Sequence, residues 1–261
     1  MAYYEEFQGI VLSNRSHREK DGLVKIFSLQ HGKTMFFIKN SKQANHPLAQ
    51  ALIPFTKGIF LGHINEKGLS FLKDARDLGH LSIALDDIDA NAYTTYMTHL
   101  VDAVIDDRVP VPSLFELYSA CLTAIQEGKN PQLITHLFEL QLLPLFGTYL
   151  QLQECVLCQS EQEPFDFSMV KHGVLCQRHW QDDPHRLHIA PKALHIAKLL
   201  VRIKPNQIGE LRISPETMSE LKRLVDAIYE EFVGIHLKSK QFIDQMSNWS
   251  QELVKRRQEP N

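Results

Sequence analysis

Over roughly the first seventy-five residues the apolar positions come in short runs, rich in β-branched and aromatic side chains and broken by turn residues. Such runs suit a pleated surface with one face buried. Strands are predicted over Phe7–Leu12, Leu23–Leu29, Lys33–Ile38, Ile53–His63 and Gly68–Lys73. The breaks are Asp21-Gly22, His31-Gly32, Asn45-His46-Pro47 and Glu66-Lys67-Gly68, all turn-forming combinations. Five short strands in that length suit a small closed barrel, of the OB type or, almost as well on pattern alone, SH3-like.

Beyond Leu78 the period lengthens. Tyr93, Tyr96, Met97, Leu100, Val101, Val104 and Ile105 step by three and one, which aligns them on one helix face. That helix is predicted to run to near Val109, ahead of Pro110 and Pro112. Ser113 is placed to cap a second helix carrying Leu114, Leu117, Tyr118, Cys121, Leu122 and Ile125, with Gly128 at its end. Cys121 falls on the apolar face and reads as a small buried hydrophobe. A third helix, Pro131 to Phe146, is apolar on most sides, the pattern of a helix at the centre of a bundle. Another opens at Pro191 and closes before Pro205, and Ser214-Pro215 is a helix start. Its stripe is Met218, Leu221, Leu224, Val225, Ile228, Tyr229 and Phe232. A last helical stretch, His236 to Arg257, carries Phe242, Ile243, Met246, Trp249 and Leu253.

One stretch fits neither period. Cys155-Val156-Leu157-Cys158 is followed, after seventeen residues, by Cys176-Gln177-Arg178-His179. Paired half-sites at this spacing suit a tetrahedral zinc ion with every position filled, hence a structural ion. Phe165 and Phe167 alternate with polar residues as on a short strand, and His172-Gly173 turns the chain back toward Cys176. His172 and His185 are the substitutes for His179 as fourth ligand. The competing possibility is three unrelated reduced thiols and a surface histidine. Neither H-x-E nor H-E-x-x-H accompanies the cysteines, so a zinc hydrolase or deaminase has little support.

Composition adds limits. A chain of 261 residues with 44% hydrophobic side chains can build one large core or several small ones. Its net charge of -3 draws in no polyanion globally, so such a contact needs a local patch. The first segment offers one: Arg15, Arg18, Lys20 and Lys25 flank the first two strands, and Lys33, Lys39 and Lys42 flank the third. Phe36 and Phe37 are adjacent, so strand alternation sends one inward and leaves the other free to face out. A basic groove with an exposed aromatic can hold single strands by phosphate neutralisation and base stacking. A solvated lysine face over two core phenylalanines is the plain alternative. Four cysteines, three of them in the knuckle, suit a reducing, cytosolic setting with a metal in place of disulfides. The acidic start is wrong for a secretion signal, and no apolar run approaches the ~20 residues of a membrane span. Nucleotide-binding glycine loops and the nucleophile-elbow pattern are absent, which favours a binding protein over an enzyme.

The expected fold class is therefore multi-domain α+β: an N-terminal five-stranded OB-type barrel, then an all-α domain carrying a zinc knuckle. The expected limits are 1–78 for the barrel, 79–150 for the first helical part, 151–186 for the knuckle and 187–261 for the closing helical part.

Several local runs go with that order of parts. They are Gly9-Ile10-Val11-Leu12, then Leu23-Val24-Lys25-Ile26-Phe27-Ser28 with His31-Gly32-Lys33, then Leu52-Ile53-Pro54-Phe55. Most specific is Phe138-Glu139-Leu140-Gln141-Leu142-Leu143, then Gly147, then Cys155, Cys158 and Cys176. Together they resemble the RecO family of bacterial DNA repair proteins, over nearly the whole chain and least from Pro205 onward. Two departures stand out. The family's knuckle commonly ends in cysteine where this chain has His179, and its basic loop after the third strand is thinned here to Lys39-Asn40-Ser41-Lys42-Gln43-Ala44-Asn45. The resemblance implies a recombination mediator, not an enzyme, that binds single- and double-stranded DNA and anneals complementary strands. It implies three protein partners: the acidic tail of single-strand binding protein, RecR, and indirectly RecA, which is loaded onto coated strands. It also implies a cytoplasmic, nucleoid-associated protein with one structural Zn2+ on Cys155, Cys158, Cys176 and His179. With the clustering of charge, it makes Arg15, Arg18, Lys25, Lys33, Lys39 and Lys42 the candidate DNA contacts. The alternative is a zinc-stabilised protein-interaction adaptor whose barrel binds no DNA, which the net acidic charge and the thinned loop favour.

Overall fold

A computed structural model gives the fold and describes residues 3–43, 45–82, 86–209 and 212–246. The chain forms two compact units, Met1–Glu127 and Gly128–Asn261.

In the first unit, strands β1 (Glu5–His17), β2 (Asp21–Ser28), β3 (Gly32–Ile38), β4 (Lys57–His63) and β5 (Ser70–Gly79) close into a barrel in the order β1-β2-β3-β5-β4. This is the five-stranded OB arrangement that the strand pattern predicts. Closure depends on two features. β1 is long enough to pair with β4 through its first half and with β2 through its second, and an irregularity between Val11 and Ser13 bends it between the two. β3 and β5 then join in parallel, Phe36 opposite Ser70 and Phe37 opposite Phe71. Phe7, Val11, Val24, Ile26, Phe36 and Phe60 fill the interior. Phe7 stacks between Phe36 and Phe60, at 5.6 and 5.8 Å between ring centres.

Three strand limits differ from the pattern by more than two residues. β1 continues through polar Ser13–His17, because the backbone ladder with β2 needs no apolar side chains. Residues 53–56 form a turn, with Phe55 at φ 67°, so β4 starts only at Lys57. β5 runs on to Gly79 through Asp74, Arg76 and Asp77, a solvent-facing stretch held by its ladder with β4.

Helices α1 (Ile88–Val104) and α2 (Pro112–Gln126) complete this unit. Asp87 caps α1 by accepting from the N–H groups of Asp89 and Ala90. α1 stops short of the predicted Val109. The chain leaves it to run beside β3, where the Arg108 N–H donates to the Lys33 carbonyl at 2.9 Å. Gly32 permits that approach: at φ 62°, a Cβ there would lie 2.3 Å from the Val109 oxygen. α2 is not capped by Ser113. Pro112 takes the first helical position and Val111 precedes it without a side-chain cap, so Ser113 lies inside the first turn. Phe27, on the outside of β2, is covered by Phe115 of α2 at 5.5 Å between centres. Cys121 is fully buried, and burial pushes its thiol pKa up, as suits an inert core residue.

In the second unit, α3 (Pro131–Leu142) is capped by the Asn130 side chain, which accepts from the Leu133 N–H at 2.9 Å. It is buried along most of its length, and α4 (Pro191–Leu200) and α5 (Pro215–Ile228) pack against it. After Leu142 the helix tightens to a 3₁₀ turn, Leu143–Phe146, which Gly147 ends at φ 77°. Ser214 caps α5 as predicted, accepting from the Thr217 N–H. Below it Tyr229 donates to the Glu139 carbonyl at 2.9 Å, both residues being buried. Residues 238–246 are helical. Their Lys240 reaches Asp226 and Asp244, each at 2.8 Å. The predicted continuation through Trp249 and Leu253 to Arg257 lies outside the described residues.

Candidate functional site

Hairpin β6 (Phe165–Ser168) and β7 (Gly173–Cys176) sits between α3 and α4 in sequence. All eight of its strand residues are buried. The hairpin ends at Cys176, and the following 3₁₀ turn, Gln177–Asp182, swings His179 back beside it. The other half-site is a tight loop. The Gln159 N–H donates to the Cys155 carbonyl at 2.8 Å, and Gln159 takes φ 58° to complete the turn. This brings Cys155, Cys158, Cys176 and His179 together, with ligand atoms all within 4.8 Å of one another, so they could hold a metal ion.

The spacing tests that fit. A tetrahedral ion with Zn–S of about 2.3 Å and Zn–N of about 2.0–2.1 Å sets sulfur–sulfur separations near ~3.8 Å and sulfur–nitrogen near ~3.5 Å. Cys158 Sγ to Cys176 Sγ is 3.7 Å, and His179 Nδ1 lies 3.5 Å from Cys155 Sγ and 3.3 Å from Cys176 Sγ. Burial resists ionisation of Cys176, but hydrogen bonds from His179 and the Arg178 N–H outweigh it and draw the thiol down to about 6. Burial opposes ionisation of Cys155 too, and backbone N–H groups of Cys176, Leu157 and Cys158 reverse it. Thiolates are the form that ligates. Of the two substitute histidines, His172 rests against the Phe232 ring at 4.7 Å, and neither it nor His185 is part of the cluster.

Around the cluster the hairpin is tied down. Asp166 accepts from the His188 and Ile189 N–H groups at 3.2 and 3.0 Å and pairs with Arg186 at 2.9 Å. Trp180 Nε1 donates to the Leu175 carbonyl, and Arg186 lies over its ring. Gly173 meets Gln151 so closely that a Cβ would sit 2.5 Å from the Gln151 oxygen. Gly173→Ala is therefore expected to cost about 1–3 kcal/mol by forcing these backbones apart, measured as a lower midpoint in urea unfolding. An unchanged midpoint would show that the hairpin can shift freely.

The basic candidates of the first unit fall into two groups. Arg15, Arg18, Lys39 and Lys42 are exposed. The β1–β2 turn and the turn after β3 touch, the Lys42 N–H donating to the Lys20 carbonyl at 3.3 Å. Arg18, Lys20 and Lys42 thus lie on neighbouring turns of one rim. Lys25 and Lys33 behave differently. Lys25 Nζ binds both Asp102 carboxylate oxygens, at 2.7 and 2.9 Å. The Lys33 side chain is only 4% exposed and binds the Asp102 carbonyl and carboxylate at 2.5 and 3.0 Å. Both are thus engaged by Asp102 of α1, with Lys33 buried and Lys25 partly so, which makes them weaker candidates for phosphate contact than the four exposed residues. The sequence pattern misses this because Lys25 and Asp102 lie far apart along the chain.

Among the described residues, no helix is long and apolar enough to cross a membrane. The family model described as "Recombination protein O N terminal" matches residues 1–79, and "Recombination protein O C terminal" matches 85–241. A DNA repair protein RecO of Enterococcus faecalis is 41% identical over 248 residues, covering 95% of this chain and 95% of the relative. That of Pediococcus pentosaceus is 42% identical over 244 residues, 94% of this chain and 96% of the relative. That of Lactiplantibacillus plantarum is 37% identical over 253 residues, 97% and 98%.

Proposed function

Since this chain belongs to the RecO family of DNA repair proteins, we propose that it is a recombination mediator that binds single- and double-stranded DNA and anneals complementary strands. With RecR it helps load RecA onto strands coated by single-strand binding protein, working at the nucleoid in the cytoplasm and breaking no covalent bond. The observation that carries the DNA contact is the exposed basic rim of the OB-type barrel, formed where the β1–β2 turn meets the turn after β3. Arg15, Arg18, Lys39 and Lys42 are its phosphate contacts in this reading. Lys25 and Lys33 are internal counterions of Asp102.

The four-residue cluster holds one structural Zn2+, which staples the β6–β7 hairpin to the loop at Cys155. An apolar cleft of about 350 Å³ in the second unit supports a contact with the hydrophobic-ended tail of single-strand binding protein. Leu140, Leu143, Tyr149, Leu152 and Val201 line it.

Titrating single-stranded oligonucleotide across a salt series, with and without a tail peptide, tests the proposal. The logarithm of affinity is expected to fall linearly with that of salt. Lys39→Ala with Lys42→Ala should flatten the slope by about 0.7 for each lysine removed, and Lys25→Ala should leave it unaltered. Absence of any DNA binding at low salt, with the tail peptide still bound, would favour the adaptor reading instead.

A further inference from the structure

We propose that the outer face of strands β3 and β5 is a base-stacking cleft for single-stranded nucleic acid, an inference that rests on the DNA-binding reading above. The two strands run parallel with Phe36 opposite Ser70 and Phe37 opposite Phe71. Phe36 and Ser70 are fully buried. Side chains alternate along a strand, so Phe37 and Phe71 turn to the outer face together. Two residues on along β5, the same alternation places Lys73 after Phe71, and Lys39 opens the turn that follows β3; both are exposed. The barrel therefore carries Phe37 beside Phe71, and each is followed two residues on in sequence by a lysine. At about 3.3 Å per residue, Lys73 stands roughly 6–7 Å beyond the Phe71 ring, and Lys39 lines the same cleft. A base can lie on the rings while its backbone phosphate meets an ammonium.

The surroundings fit this use. The Phe37 and Phe71 ring centres are 6.2 Å apart at 75°, and His17 flanks Phe37 at 6.1 Å. A cleft of about 370 Å³ includes both rings in its lining, together with Leu48 and His46. Its described lining includes both lysines and no carboxylate. Lys73 Nζ lies 5.2 Å from the centre of the Tyr4 ring, itself 41% exposed, which continues the aromatic path. Outward aromatics elsewhere on this barrel are treated differently. Phe27 on β2 is covered by Phe115 and fully buried, whereas Phe71 stays 44% exposed. Exposed rings flanked by lysines suit a ligand with flat apolar faces on an anionic backbone. That is single-stranded nucleic acid, whose bases are unstacked and reachable, in preference to a duplex, whose bases are not.

The test uses the full chain and four probes: a labelled single-stranded oligonucleotide, its duplex, a single strand with internal 2-aminopurine, and an acidic peptide. Phe37→Leu with Phe71→Leu keeps apolar bulk and removes both aromatic faces. It is expected to lower single-strand affinity about tenfold or more and to reduce the single-strand-over-duplex preference accordingly. It should abolish the quenching of 2-aminopurine seen with the wild type, while keeping the salt slope. Lys39→Ala with Lys73→Ala should instead flatten that slope by about 0.7 per lysine. Leucine variants that are folded by circular dichroism yet bind and quench as the wild type does would overturn the cleft and leave the DNA-binding reading intact. So would a wild type that binds without quenching. A wild type that binds no DNA at all overturns both. An acidic peptide lost by the leucine variant, with DNA binding unchanged, would reassign the cleft to a protein ligand.

Discussion

Cys158→Ser is expected to lose the metal ion from the second unit and to lower the melting temperature on the order of 10 °C. The argument starts from exposure. Cys158 faces solvent while Cys155 and Cys176 are buried, so replacing its sulfur by oxygen removes little packing. What it removes is one of the four side chains that could hold a metal ion. A structural ion binds a site that scarcely exists in the unfolded chain, so its binding free energy is folding free energy, and a loss of several kcal/mol follows. The second unit has no compensating disulfide, since all four cysteines are free. Metal analysis should return about one zinc per wild-type chain and far less for the variant, and a strong chelator should bring the wild type to the variant's melting point. Purified wild type that contains no zinc and melts normally would sink the metal assignment.

A second large effect is expected at Asp102. Asp102→Ala leaves the Lys33 ammonium buried at 4% exposure with a carbonyl and the more distant Asp107, at 3.7 Å, as its partners. Removing one member of a buried pair typically costs about 3–5 kcal/mol. Asp102 is itself 39% exposed, so solvent screens part of its field and about 2–3 kcal/mol is the expected loss. Denaturant unfolding measures it. Adding Lys33→Met should recover most of the loss, because the orphaned charge is then gone; no recovery would mean that the charge was never the cause. The pH dependence has a definite sign. Burial works against ionisation of Asp102, and hydrogen bonds and charge from Lys25 and Lys33 more than reverse it, holding the carboxyl below its ordinary value of 3.8. A carboxyl lowered in the folded state contributes stability above its unfolded pKa and loses it as pH falls through the folded one. Wild type should therefore weaken on acidification below about pH 4, and the Asp102→Ala, Lys33→Met variant should weaken less.

Much of this fold was legible because its signals are local. The β-branched runs of the first segment predicted five strands, and five form, since a half-buried strand must alternate whatever it pairs with. The three-and-one spacing of Tyr93 to Ile105 predicted α1, although it could not show where the chain must turn aside to reach β3. The pattern predicts β5 only to Lys73. Beyond that, Asp74, Arg76 and Asp77 face solvent, and their strand conformation comes from hydrogen bonds to β4 that leave no trace in side-chain pattern. The grouping of the Cys155, Cys158, Cys176 and His179 side chains follows from two short-range devices, a four-residue loop and a hairpin that returns to its start.

By itself, then, the sequence determined the barrel's strand count, the central place of α3, and four side chains at metal-binding spacing. Each of these depends on periods or spacings of a few residues. Tertiary structure alone decided which basic residues are available to a ligand. Lys33 and Lys39 are equivalent as entries in a basic run, but α1 lays Asp102 against Lys33 and leaves Lys39 in solvent. It also decided that Phe37 and Phe71 share one face, because strands distant in sequence meet only when the barrel closes. Long-range pairing of this kind is set by the joint packing of the core, and no short window of residues contains it.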